Sequence, residues 1–151
     1  MSDIILFAHP TFGVLGILAA VWVFVEALNA SEANRSRIRL AAFVVAGCIV
    51  LAAVLGGYWY TVFYGHEKAI ILKGPWPFAH SFFMETKEHV VIMLLLLATY
   101  FPIAAANDMA GNAAARRLML WVSGLFALIA LAAEGMGATI ALGVKVGLLA
   151  R

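Results

Sequence analysis

The sequence is poor in charge and almost free of cysteine. Only 12% of its 151 residues are charged, against roughly 25% in an average soluble domain. Its single cysteine, Cys48, lies in an apolar run. That excludes a disulfide framework and the CxxC and CxxCH motifs, and with them covalently attached c-type haem. The formal net charge is +2, and the basic residues are scattered rather than gathered into a patch that could track a phosphate backbone. Nucleic acid is therefore excluded as a partner. There is no internal repeat, no low-complexity tract, no hydrolase elbow, no phosphate loop and no nucleophile triad.

What the chain has instead is apolar length. Hydrophobic residues make up 65% of it and the mean hydropathy is +1.00. Apolar stretches run from Ile4 to Leu28, Leu40 to Tyr64, Val90 to Ala106 and Leu118 to Leu149. Each approaches or exceeds the ~20 residues a helix needs to cross a hydrocarbon core of ~30 Å. With the polar head that precedes Val90 included, the expected helices cover 4–28, 40–64, 78–106 and 118–149. The fold class is thus all-α, an integral membrane four-helix bundle forming one transmembrane domain over 1–151. The first stretch is expected to be retained rather than cleaved, since Asp3 and no Lys or Arg precedes it and no small-x-small site follows.

Arginine sets the expected orientation. Arg35, Arg37, Arg39, Arg116 and Arg117 occupy the first and third connectors, whereas the lysines of the middle connector and the head after it, Lys68, Lys73 and Lys87, are diluted by Glu67, Glu85 and Glu88. The positive-inside rule puts the arginine side in the cytoplasm. Both termini and the loop from His66 to His80 then face outward, toward the periplasm if the bilayer is a bacterial inner membrane. Tyr58, Trp59, Tyr60, Tyr64, Trp76, Phe82 and Phe83 gather near that outer face as an aromatic belt would.

The polar residues of the spans converge on one level. At ~1.5 Å per residue, His9 rises ~30 Å above Asn29, His89 ~27 Å above Asn107, Glu134 ~26 Å above Arg117, and Tyr58 reaches ~29 Å. Within helices, Glu85 and His89 are four apart with Glu88 adjacent, a polar stripe from which Lys87 is turned away. His9, Gly13, Gly16 and Ala20 follow a helical rhythm, one histidine above a strip without side chains that would admit a flat group. Glu134, Gly137, Ala138, Ala141 and Lys145 share a face, and Gly143 with Gly147 forms a small-xxx-small pair suited to close helix packing.

Ionisable residues inside a span point to function, and three readings use them. The first is a haem b held by His9 and His89, with room made by Gly13 and Gly16 and with His66 and His80 as a second pair; such a protein passes electrons, taking a quinone or a periplasmic carrier as partner. The second is a non-haem iron or manganese site of His9, His89, Glu85, Glu88 and Glu134. Its weakness is the missing Glu-x-x-His spacing, because Glu85 is followed by Glu88 at three and His89 at four. The third is an accessory subunit, in a homo- or hetero-oligomer, whose Glu134 and His/Glu head pair with one another or line a proton path. The sequence expectation is the first, an electron-transferring b-type haem protein, an oxidoreductase or a subunit of one.

Overall fold

The computed structural model describes residues 2–150, with side chains from residue 4 onward. Helix α1 runs Ser2–Leu28. A 3-10 turn at Glu32–Asn34 leads into α2, Arg35–Val62. A short α3 spans Tyr64–Lys73. A π-helical turn at Ala79–Met84 runs directly into α4, Glu85–Ala105. Helix α5, Ala113–Leu149, is the last of the described helices. No strand occurs among the described residues.

Four segments are long and apolar enough to cross a bilayer: Ile4–Leu28, Glu32–Val62, Ala79–Ala105 and Ala113–Leu149. They form a square in which α1 and α4 occupy opposite corners, each packed against α2 and α5. The exterior is apolar, with Phe43 and Leu128 64% and 67% exposed. A continuous surface of this kind is satisfied by lipid, not by water.

The boundaries differ from the hydropathy reading in several places, α5 for one beginning at Ala113 rather than Leu118. Helix α2 starts at Arg35 rather than near Leu40 because its three arginines find partners at the bundle end. Arg35 lies 3.5 Å from Glu32, Arg37 donates to Glu26 at 2.8 Å, and Arg39 donates to the carbonyls of Ala105 and Ala106. The middle connector, expected as a loop, contains α3, whose apolar residues Ile70 and Ile71 are buried against the end of the bundle opposite the arginines. Four apolar residues in a row are too few to signal a span, so hydropathy alone leaves α3 invisible.

Turn chemistry fixes the other end. The Asn34 amide donates to the Glu26 carbonyl at 3.0 Å and the Glu26 carboxylate at 2.9 Å, stitching α1 to α2. Asn112 caps α5 by accepting from Ala114 N and Ala115 N, which satisfies two of its free N–H groups.

The interior divides into two apolar cores. The larger is built mainly of small residues, with Phe101 and Phe126 edge to face at 5.2 Å, and its members farthest from the arginines are Ala19, Ile49, Leu94 and Ala133. The smaller, made of Tyr64, Ile71, Ala79, Met84 and Ile140, lies under α3. Gly143 and Gly147 serve this end, meeting Ala79 with Ile71 and Ile70 respectively. That is the close packing their spacing suggests.

Candidate functional site

Between the two cores lies a polar layer, and its side chains are seated by a repeated device. His9 of α1 packs on Gly56 of α2, where a Cβ would come within 2.6 Å of the imidazole Nδ1. Glu134 of α5 rests against Gly13 of α1, where a Cβ would collide with Oε1. Lys87 of α4 reaches over Gly137 of α5, where a Cβ would lie 2.7 Å from Nζ. Three titratable groups from three helices thus each fill the place of a missing side chain on the next helix. All three are half-buried.

Each seat follows from its helix face. His9, Gly13, Gly16, Ala20, Val23 and Ala27 form the inward stripe of α1. On α2, Ile38, Ala42, Val45, Ile49 and Ala52 do the same and end at Gly56. The missing side chain at Gly56 bares the Ala52 carbonyl one turn earlier, and His9 Nδ1 lies 2.8 Å from it. A carbonyl only accepts, so Nδ1 carries the ring proton and Nε2 of the neutral ring is left bare. Lys87 acts electrostatically on both His9 and Glu134, at separations beyond direct ion-pair contact.

Toward the end of the bundle opposite the arginines lies a second set of polar residues. Tyr60 lies beside Glu88, whose Oε1 is buried with no hydrogen-bond partner among the described residues. The Tyr60 ring stacks on Tyr64 at 5.2 Å. The Tyr64 hydroxyl is 3.0 Å from Nδ1 of buried His80, and His80 Nε2 is 3.5 Å from Oε1 of exposed Glu85. Burial first, then the neighbouring Tyr60 and the carboxylates of Glu67, Glu88 and Glu85, push the Tyr64 phenol well above its ordinary range. It stays a proton donor at any ordinary pH. With Tyr64 donating to Nδ1, Nε2 of His80 bears the proton that faces Glu85.

The residues singled out from the sequence therefore separate. His9, Gly13 and Glu134 meet in the polar layer, and His80 joins Glu85 near the surface. Gly16 holds no gap either, since a Cβ there would be 2.7 Å from Ile49 Cδ1. The strip that would admit a flat group is thus occupied by the Glu134 carboxylate and the Ile49 side chain. His66 is exposed on α3. His89 is exposed with Leu96 and Ile103 on the lipid face of α4, its Nδ1 2.7 Å from the Glu85 carbonyl. No group of three or more His, Cys, Asp or Glu residues is placed to hold a metal ion among the described residues.

Lys87 is the member that sequence reasoning set aside. Counting back seven from buried Leu94, itself in register with Ala98, Phe101 and Ala105, lands on Lys87. That rhythm is the signal that marks it as inward-facing.

Comparison with protein-family models, characterised proteins and solved structures gives no match for this chain.

Proposed function

We propose that this chain is a proton-handling membrane subunit, in which His9, Lys87 and Glu134 bind and release protons on behalf of a redox or transport partner in the same bilayer. The observation that carries the reading is the set of three glycine seats. They hold an acid, a base and an imidazole at one level between two apolar cores. Ionisable groups at membrane depth are expensive, and chains of Glu and His there serve as proton relays. The ammonium and carboxylate of Lys87 and Glu134 become two neutral groups by transfer of a single proton, so the layer has two states of equal net charge. Glu88 with Tyr60, then Tyr64, His80 and Glu85, supply donors and acceptors toward the surface. Among the described residues no buried carboxyl, imidazole or ammonium group lies in the larger apolar core on the other side, so in this reading protons enter and leave from one end. We place that end, with both termini, on the outer face of a bacterial inner membrane, because the arginines flank the other.

Infrared difference spectroscopy of the reconstituted protein tests this. Over about pH 5 to 9, where shifted carboxyl and imidazole groups titrate, a protonated-carboxyl band should change in wild type and vanish in Glu134→Gln. A spectrum with no carboxyl change assignable to Glu134 overturns the reading.

A second reading keeps the electron-transfer function. His9 and His89 each turn Nδ1 to a backbone carbonyl, which leaves Nε2 in the state an axial ligand to haem b requires. It demands that α4 turn His89 inward from its lipid face and that Glu134 and Ile49 vacate the strip at Gly13 and Gly16. A Soret band in protein purified from haem-replete cells, lost in His9→Ala, would favour it; a colourless protein carrying the pH-dependent carboxyl band favours the first.

A further inference from the structure

At the arginine-bearing end of the bundle, away from the polar layer, a groove of about 600 Å³ opens along the seam of α1 and α5. Its floor includes Phe24 and Gly124, its rim Trp121, Leu125 and Leu128, and its only charged lining residue is Arg117. From Arg117 to Leu128 the seam rises ~16 Å at 1.5 Å per residue. One leaflet of a ~30 Å core is ~15 Å deep. The groove is therefore one leaflet deep with its cation at headgroup level. It opens outward to lipid, Trp121 being 68% exposed.

Arg117 also differs from its counterparts on the neighbouring helix. Arg35 and Arg37 are matched by Glu32 and Glu26, and Arg39 by two carbonyls. Among the described residues no acceptor is matched to the Arg117 guanidinium. Gly124 leaves space rather than filling a packing need, since a Cβ there would meet Phe24 only at 3.6 Å.

We propose that this groove binds an anionic phospholipid, with an acyl chain along the α1 and α5 seam and the headgroup phosphate on Arg117. The charge selects the headgroup: the planar guanidinium takes a phosphate in two parallel hydrogen bonds, and basic residues beside a helix seam favour anionic lipid. Apolar walls select the chain. A zwitterionic lipid of the same chains fits the walls but brings its own cation to the guanidinium.

Native mass spectrometry of the full chain, released from micelles doped with phosphatidylglycerol or phosphatidylcholine of identical chains, tests the site. Wild type should retain one phosphatidylglycerol with roughly fivefold preference, the ratio one interfacial Arg supplies. Arg117→Gln should bring the two lipids to parity. Gly124→Leu, which keeps every charge, should lose retention of both. Soluble glycerol phosphate should not displace the lipid, because it lacks the chain that the walls hold. Equal retention of the two lipids by wild type, unchanged preference in both variants, or displacement by glycerol phosphate overturns the proposal. So does a wild-type dimer that Gly124→Leu converts to monomer, which would put a second copy of the chain in the groove.

Discussion

The carboxylate of Glu134 occupies the space above Gly13 where any side chain on α1 would have to stand. Two helices are thereby locked in register by an acid on one and an absence on the other. Gly13→Ala should force the carboxylate out and cost about 1–3 kcal/mol, the usual cost of overpacking. Thermal unfolding in detergent measures it. Combining Gly13→Ala with Glu134→Ala should recover much of the loss, whereas pairing it with the isosteric Glu134→Gln should not. A double-mutant cycle showing no coupling would remove the seat.

Lys87 and Glu134 should couple with the opposite logic. Lys87→Met takes the cation away from a half-buried carboxylate and should destabilise the fold. The loss should stay below the ~3–5 kcal/mol of breaking a fully buried pair, because both groups are partly exposed and not in direct contact. Lys87→Met with Glu134→Gln removes both charges and should be more stable than Lys87→Met alone. A double variant less stable than either single one would show that the two do not compensate each other.

How much of this was legible in the sequence depends on what each residue's helix face reveals. The four spans follow from uninterrupted apolar length, and His9 with Gly13 follows from a stripe that continues through Ala20. Glu134 and His9 fall at one level by helical rise alone. His89 shares that level but not that side, because rise fixes depth and says nothing about rotation. Rotation on α4 is set by Leu94, Ala98 and Phe101, which point Lys87 inward and leave His89 with lipid-facing Leu96 and Ile103. In a membrane helix both faces are apolar, so polarity cannot separate them; residue size does, the small and tightly packed face being the inner one. The glycine seats at Gly56 and Gly137 are contacts between helices distant in sequence, and no spacing within one helix encodes such a pairing.

Glu67 offers a pH test outside the spans. Burial pushes its carboxyl above the usual range, with neighbouring His66 opposing. An acid that holds its proton more tightly when folded contributes stability at low pH that is lost as pH rises through its folded value. Glu67→Gln keeps the neutral form at every pH, so it should raise Tm at neutral pH. The gain should shrink toward zero as pH falls below the ordinary carboxylate value of about 4.3. A gain of equal size at both ends of the pH range would exclude titration of Glu67 as its cause.

Orientation rests on the arginines. A C-terminal alkaline phosphatase fusion should be active in a bacterial host and a C-terminal green fluorescent protein dark. Replacing Arg116 and Arg117 by Asn should leave a mixed population if charge in the third connector matters. Bright fluorescence from the unaltered chain would invert the assigned faces and carry the polar layer to the cytoplasmic side.

In the proposed proton route the polar layer reaches the surface through Tyr64, and that residue can separate a working route from a scaffold. Its hydroxyl is 3.0 Å from buried His80, and its ring stacks on Tyr60, which lies beside Glu88. Tyr64→Phe keeps the ring and its aromatic neighbours but removes the hydroxyl that stands 3.0 Å from His80 Nδ1. Leaving buried His80 without that partner should cost about 1–3 kcal/mol, an effect on stability that any structural role would also produce. The proton route predicts something further. After a pH jump, the carboxyl band of Glu134 should respond more slowly in Tyr64→Phe than in wild type, while its final amplitude is unchanged. His66→Ala, on the exposed face of α3, should alter neither stability nor rate. If Tyr64→Phe loses stability yet Glu134 follows the jump at the wild-type rate, protons reach the layer by another way and Tyr64 with His80 is part of the scaffold.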